Sequence, residues 1–331
     1  MIFNLNRICI LIGFCISLTL VGCSDDDAGS SDLLYADQEK IEAYLAENNL
    51  TATKDDSGIY YTIVTENPTG DTQANGKILS IFYSAKVMGG SGYDARVKNT
   101  HDSLLLKQGV NAVYPVGLDL GLAKMKVGET FIFYIPSTLG YGDYSFSSLI
   151  PSHAILEIEV ELVAIQNESD VLAVELDAIN AYIVSEDLNN TTAHPLDPVE
   201  YASSDQIYYK RQQAGTANAT VKNNELVSIN YVGSGLDGTE FDRRTGANIF
   251  EYTFGSGEVI TGLDAGVGMM EKGESALIIL PSHKAYGESV GLVIPQADKQ
   301  EFVALEIIPQ YATKVKPYQI VTFEVNLLNN P

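Results

Sequence analysis

Tryptophan is absent from all 331 residues. That counts against a β-rich glycan-binding surface, where sugars stack on exposed aromatic rings; the 19 tyrosines are what keeps such a reading in play. Cysteine occurs only at Cys9, Cys15 and Cys23. The chain beyond them therefore has no disulfide, no thiolate-bound zinc and no thiol nucleophile, and its domains must hold together by packing. Cationic residues are scarce: 20 Lys and Arg stand against 43 Asp and Glu, a formal net charge of −23. A nucleic-acid partner, which demands a basic face, is excluded on that ground, whereas solubility through self-repulsion is favoured. His101, His153, His194 and His283 show no HExxH or other ligand-like spacing, and no G-x-S-x-G elbow occurs. Neither metal nor cofactor chemistry is expected.

An apolar run from Ile8 to Gly22, preceded by the single charge of Arg7, is shorter than a membrane span of about 20 residues. Its end, Leu20-Val21-Gly22-Cys23, resembles a bacterial lipobox. The resemblance implies a signal peptide over residues 1–22, acylation of Cys23, a lipid-mediated membrane attachment and a place in the cell envelope, at the outer membrane; an ordinary cleaved signal peptide is the alternative. Residues 23–34 are polar and acidic and read as a flexible tether. Acidic residues directly after the cysteine also resemble surface-export signals of Bacteroidetes-type lipoproteins.

The pattern Gly-Leu-Asp-x-Gly-x-x-x-Met-x-x-Gly-Glu occurs twice, as Gly117 to Glu129 and, 145 residues later, as Gly262 to Glu274. Tyr141-Gly142 and Tyr286-Gly287 follow at one offset. One domain is therefore present twice. Helical apolar spacing over Asp37 to Asn48 and Ser169 to Ile183 predicts an amphipathic helix before each unit. Strands are expected at Ile78 to Val87, Thr130 to Ile135 and Ala154 to Ile165, and again at Leu226 to Val232, Ser275 to Leu280 and Tyr318 to Leu328. Val116 to Met125 and Thr261 to Met270 read as one short helix each. The fold class is α+β: two units, each a curved antiparallel sheet wrapped on one short helix. The boundaries are 35–165 for the first domain with its helix, 166–205 for helix and linker, and 206–331 for the second domain, with an insertion at 296–316. Gly233 to Gly238 matches G-x-G-x-x-G, but Thr239 to Asp242 reads as a second strand and not the helix a dinucleotide site requires, so Leu236-Asp237-Gly238 is a hairpin turn.

Tyr231, Phe241-Asp242, Val259-Ile260-x-Gly262-Leu263, Ala285-Tyr286-Gly287, Ile294-Pro295 and Phe323-Glu324-Val325 resemble, in order and spacing, an FKBP-type peptidyl-prolyl isomerase. The first unit repeats the series as Tyr83, Tyr93-Asp94, Gly117-Leu118, Gly140-Tyr141-Gly142, Ile150-Pro151 and Ile158-Glu159-Val160. The resemblance covers about residues 57–165 and 206–329. It implies a proline-accepting pocket between sheet and short helix. In unit two, Tyr231, Phe241, Asp242, Tyr286 and Phe323 would be catalytic, with Phe250, Val259, Ile260, Leu263 and Ile294 binding substrate. In unit one the substrate-binding set would be Tyr83, Tyr93, Asp94, Leu104, Leu118, Tyr141, Ile150 and Ile158.

Both copies depart from the family, whose pocket floor is usually tryptophan; Leu118 and Leu263 stand there. Unit one also has Tyr114-Pro115 where unit two has Val259-Ile260, and proline offers no amide hydrogen to a substrate carbonyl. It carries Tyr93 for Phe241 and Leu104 for Phe250. Unit one is therefore expected to be the weaker isomerase or a binding module only. The function expected is a monomeric, lipid-anchored peptidyl-prolyl isomerase acting on proline-containing polypeptides during folding of exported proteins. A non-catalytic FKBP-like binding or chaperone lipoprotein is the alternative. The insertion would lie at the second pocket's rim, gripping a substrate or blocking the site.

Overall fold

The computed structural model describes residues 25–72, 75–110, 112–145, 149–189, 199–202, 206–216, 219–295 and 298–329. The signal peptide of residues 1–22 and the lipidated Cys23 lie outside them.

Unit one begins with helix α1 (Asp25–Glu47). It continues through β1 (Thr53–Lys54), β2 (Tyr60–Thr65), β3 (Ile78–Val87), β4 (Gly92–Arg96), β5 (Leu104–Lys107) and β6 (Val113–Tyr114) to helix α2 (Val116–Leu122), then β7 (Thr130–Ile135) and β8 (Leu156–Gln166). Its sheet runs β1-β2-β7-β8-β3-β4, with β5 also paired to β3, and every pairing is antiparallel. After helix α3 (Glu168–Ser185), unit two repeats the plan as β9 (Glu200–Ala202), β10 (Ile207–Gln213), β11 (Leu226–Gly235), β12 (Glu240–Arg244), β13 (Phe250–Thr253), helix α4 (Thr261–Met269), β14 (Ser275–Leu280), β15 (Gly291–Leu292), helix α5 (Lys299–Ala304) and β16 (Val321–Leu327). The order is β12-β11-β16-β14-β10-β9, with β13 on β11. Gly235 and Thr239 close the β11–β12 hairpin by a 3.0 Å backbone hydrogen bond, with Gly238 at φ +76°. The G-x-G-x-x-G run is thus a turn.

Every residue of the doubled signature serves this scaffold. A Cβ on Gly117 would sit 2.3 Å from Ile135 Cγ2, and one on Gly121 2.7 Å from Phe133 Cε1; on Gly262 and Gly266 it would come within 2.6 Å of Leu280 Cδ2 and 2.4 Å of Ile278 Cδ1. Glycine lets α2 and α4 rest directly on the sheet. Asp119 accepts from the Gly109 amide at 3.1 Å, and Asp264 from the Gly255 amide at 3.2 Å. Gly128 (φ +85°) and Gly273 (φ +82°) turn the chain into β7 and β14. Glu129 and Glu274 then reach back to the amides of Lys126 (2.8 Å) and Glu271 (3.0 Å). Both carboxylates are buried, and their bonds satisfy amides the turn would otherwise orphan.

Each sheet is covered on both faces. The short helix fills the concave side. On the other side α1 packs Ile41 and Leu45 against Tyr60, Tyr134 and Ile155, and α3 packs Ile179 and Ile183 against Tyr208, Leu277 and Ile279. The near-continuous burial of Ala276 to Leu280 in β14 follows, because a strand sandwiched between two layers has no solvent side. Each long helix also sends one buried carboxylate to the same turn. Asp37 accepts from the Ser137 amide, and Glu175 from the Ser282 amide, each at 2.9 Å. Burial raises the Glu175 pKa above the ordinary carboxylate value.

Two boundaries differ from expectation. Residues 25–34, read as a flexible tether, are helical as the start of α1. The last strand begins at Val321, not Tyr318, which has φ +56° and so cannot continue a strand. Among the described residues no helix is long and apolar enough to cross a membrane.

Candidate functional site

In unit two the register of the central strands assembles a pocket. Tyr231 on β11 faces Val325, and Gly233 faces Phe323 on β16; Asp242 on β12 lies opposite Gly233. A cavity of about 540 Å³ opens between these strands and α4, lined by Tyr231, Asp242, Phe250, Val259, Ile260, Leu263, Tyr286 and Phe323. Phe241 stands behind that surface, its ring 5.8 Å edge-on to Tyr286 and 5.7 Å edge-on to Phe323. Tyr231 closes the network, 5.8 Å from Phe250 and 5.9 Å from Phe323. Such edge-to-face contacts fix ring orientation as well as burying area. Nine of the ten residues expected for this pocket therefore come together.

Glycine at 233 is what admits the paired phenyl rings. A Cβ there would lie 2.8 Å from Phe241 Cζ and 3.0 Å from Phe323 Cε1. Unit one has Ala85 at the matching place, opposite Ile158 where unit two has Phe323. Volume has been exchanged across the strand pair, and the first pocket is lined with less aromatic surface.

The polar points of the second pocket are Tyr231, Asp242, Arg244, Glu258 and the hydroxyls of Tyr286 and Tyr311. The Tyr231 hydroxyl donates to Asp242 Oδ2 at 2.5 Å, and Asp242 Oδ1 accepts from the Arg243 amide at 2.8 Å. Burial and the neighbouring Asp242 carboxylate hold the Tyr231 hydroxyl well above its ordinary pKa. Tyr286 is pushed up to about 12, chiefly by burial and then by the charge of Asp242. Both hydroxyls are therefore protonated donors at any physiological pH. The Tyr286 hydroxyl makes no hydrogen bond among the described residues, while its backbone carbonyl accepts from the Ser289 amide at 3.2 Å.

The tenth residue, Ile294, is elsewhere. It was expected to bind substrate in unit two, but it lies in the core of unit one, 2% exposed. The segment around it crosses between the units. β15 pairs in parallel with β6, Gly291 opposite Val113 and Leu292 opposite Tyr114. Val293 donates its amide to the Tyr114 carbonyl at 3.0 Å. The Tyr141 hydroxyl, the unit-one counterpart of Tyr286, donates to the Val293 carbonyl at 2.5 Å. Phe302 of α5 follows, its ring edge-on to Tyr114 at 6.2 Å and to Tyr141 at 5.7 Å. The physical reason is that α5, the 3₁₀ turn Gln310–Thr313 and the link between them carry apolar residues, Phe302, Ala312 and Ile308 respectively, that are buried in the core of the neighbouring unit.

The first pocket is accordingly rebuilt. Tyr93, Leu118, Tyr141, Ile150 and Ile158, expected to bind substrate, are core residues beneath the incoming segment, and the structure does not bring them to the cavity that Tyr83, Asp94 and Leu104 line. Tyr83, Asp94 and Leu104 do line a cavity, of about 510 Å³, but its far wall is unit two's Leu292, Ile294, Lys299 and Ala312. There Tyr83 donates to Asp94 at 2.7 Å, repeating the Tyr231–Asp242 pair. Burial raises the Asp94 pKa.

Sequence reasoning missed Arg244, Glu258, Ala285 and Tyr311 in the second cavity. Ala285 sits inside the quoted Ala-Tyr-Gly motif and Arg244 two residues beyond Asp242, so proximity was a usable signal for both. Tyr311 belongs to the insertion, which was expected at the pocket's rim without any single residue being marked. Among the described residues no three His, Cys, Asp or Glu side chains gather as a metal site.

The family model for FKBP-type peptidyl-prolyl cis-trans isomerase matches residues 70–163 and 217–328. Among curated relatives, peptidyl-prolyl cis-trans isomerase FKBP9 of Mus musculus is 29% identical over 239 residues, covering 71% of this chain and 35% of the relative. Peptidyl-prolyl cis-trans isomerase FKBP10 of Homo sapiens is 28% identical over 222 residues, 66% of this chain and 32% of the relative. The FKBP-type isomerase FkpA of Aeromonas hydrophila is 34% identical over 134 residues, 39% of this chain and 47% of the relative. The chain spans about a third of the length of the first two.

Proposed function

The chain belongs to the FKBP-type peptidyl-prolyl cis-trans isomerase family, each unit matching its model, and on that premise we propose that it isomerises prolyl bonds in polypeptides at the unit-two pocket. The observation that carries this reading is the fate of one tyrosine. Tyr286 borders an open cavity with its hydroxyl unengaged among the described residues, whereas the Tyr141 hydroxyl donates to the chain's own Val293 carbonyl. Unit one then serves as a docking domain for the segment from unit two.

Rotating a prolyl amide breaks its resonance, against a barrier of roughly 18–20 kcal/mol. The planar amide carries separated charge that water stabilises, and the twisted amide carries less. An aromatic cavity that displaces water favours the twisted form relative to the planar one. Tyr231, Phe250 and Phe323 supply that wall around a proline resting on Leu263, with Phe241 packed behind Phe323 and Tyr286. The Ile260 amide and the Tyr286 hydroxyl are donors for the flanking carbonyls, and Asp242 fixes the Tyr231 hydroxyl. No covalent intermediate is required.

Exchange on a proline-containing peptide, followed for the full chain, tests the proposal. Turnover in the parent is expected to fall about 10- to 100-fold in Asp242→Ala, the loss of one or two charge-assisted hydrogen bonds. The Tyr231→Phe variant should lose less. Tyr83→Phe, the same change in unit one, should leave turnover within about twofold. An inactive parent, or equal loss from Tyr83→Phe, defeats the assignment. A non-catalytic binding role would then be the better reading.

The lipobox-like Leu20-Val21-Gly22-Cys23 supports a place in the cell envelope, tethered through acylated Cys23, where folding of exported proteins meets slow prolyl steps. Cys23→Ser should move the protein from the membrane fraction to the soluble one. Retention in the membrane would exclude this anchor.

A further inference from the structure

The insertion has two faces, and only one of them is occupied by unit one. Ala312 is 3% exposed in the unit-one core, next to Phe302 and Ile308. Its chain neighbour Tyr311 turns the other way and lines the unit-two cavity. The Tyr311 ring centroid lies 4.7 Å from that of Tyr286, with the planes tilted by 36°. Tyr311 is 36% exposed, so it keeps free ring surface at the mouth of the cavity. Val315, four residues on, is buried in the unit-two core and donates its amide to the Tyr311 carbonyl at 2.8 Å. The ring is thus held from both sides, by Ala312 in one unit and Val315 in the other.

This placement bears on a deficit in the pocket itself. Its floor is Leu263, which offers no ring to stack on. Tyr311 and Tyr286 together form an aromatic corner at the rim, beyond the floor. A peptide with its proline on Leu263 must direct a flanking side chain towards that corner. An apolar or aromatic flanking side chain gains buried contact there, and an alanine gains none.

We infer that Tyr311, lent by the insertion, is a specificity-determining residue of the unit-two pocket that selects aromatic or large apolar side chains beside the proline. The inference rests on the assignment of the unit-two pocket to proline-containing polypeptides. An aromatic contact of this kind corresponds to as much as about tenfold in affinity, the equivalent of about 1.4 kcal/mol.

Two labelled peptides differing only in Phe or Ala before proline decide it, measured on the full chain for both binding and turnover. The parent is expected to bind the Phe peptide about tenfold more tightly than the Ala peptide. In Tyr311→Ala that preference should shrink to about twofold or less, mainly by weakening the Phe peptide, while Tyr311→Phe retains it. A parent that binds without turnover overturns the isomerase assignment but leaves the binding ratio to decide Tyr311. An unchanged Phe-to-Ala ratio in Tyr311→Ala overturns the inference, as does a parent with no preference or no binding. Loss of both peptides to the same degree in Tyr311→Ala also overturns it, because it marks a general structural effect and not selection.

Discussion

Phe302→Ala is expected to destabilise the protein by about 3–5 kcal/mol, the range for emptying a buried phenylalanine site. The side chain is 1% exposed and lies edge-on to both Tyr114 and Tyr141. The void would open in unit one although the residue belongs to unit two. The loss should therefore be read as uncoupling. Calorimetry of the parent is expected to give one dominant transition, and that of the variant two, the earlier displaced downwards by of order 10 °C. The segment from Gly291 to Ile294 should also become accessible to proteolysis in the variant, since its parallel pairing with β6 depends on the same cluster. A variant that melts with the parent and resists protease equally would mean that the units do not rely on this contact.

Glu274→Ala should cost a comparable amount, about 3–5 kcal/mol, the range for removing one partner of a buried charged network. Glu274 is fully buried. It accepts from the Tyr209 hydroxyl and from the Glu271 amide at 3.0 Å, and forms an ion pair with Arg211 Nε at 3.4 Å. Alanine removes the acceptor of the Tyr209 hydroxyl and the Glu271 amide at a fully buried position and the anion of the ion pair. Glu274→Gln keeps the shape and an acceptor, so it should recover part of the loss. The twin change Glu129→Ala is expected to cost less, about 1–3 kcal/mol. Among the described residues the Glu129 carboxylate accepts from the Lys126 and Asn67 amides alone, at 2.8 and 3.3 Å, and the residue is 4% exposed. Urea titration of the three variants measures the order. Equal losses in the two units would show that the buried tyrosine and arginine add nothing to the network.

The strand-borne part of the second pocket was legible in the chain because Tyr231, Asp242, Phe250 and Phe323 sit on regular elements. Strand alternation and pairing register carry Tyr231, Asp242 and Phe323 to one face whatever else the protein does. The doubled signature was legible too, though its meaning changed. Gly117, Asp119, Gly121 and Glu129, with their counterparts in unit two, hold a short helix and a turn onto a sheet, and the proline-pocket candidates lie around them. The weakness assigned to unit one was inferred from Tyr114-Pro115 and Tyr93. The structure adds a different cause for the same reading: a strand from the neighbouring unit lies over Tyr114.

Ile294 marks the limit of what local pattern can tell. Its Ile-Pro pair matched the second unit by spacing, yet it is buried in the first. By itself the sequence determined two copies of one α+β domain and the main strands and helices of each, since these follow from periodicity and repeat spacing, while the candidates for the second pocket came from the family resemblance. Only the tertiary structure decided that the insertion packs its apolar residues against unit one and lines the unit-two cavity with Tyr311. That outcome depends on which apolar surface of a separate unit lies within reach of Phe302, Ile308 and Tyr311, and contacts between distant segments leave no period in the chain that makes them.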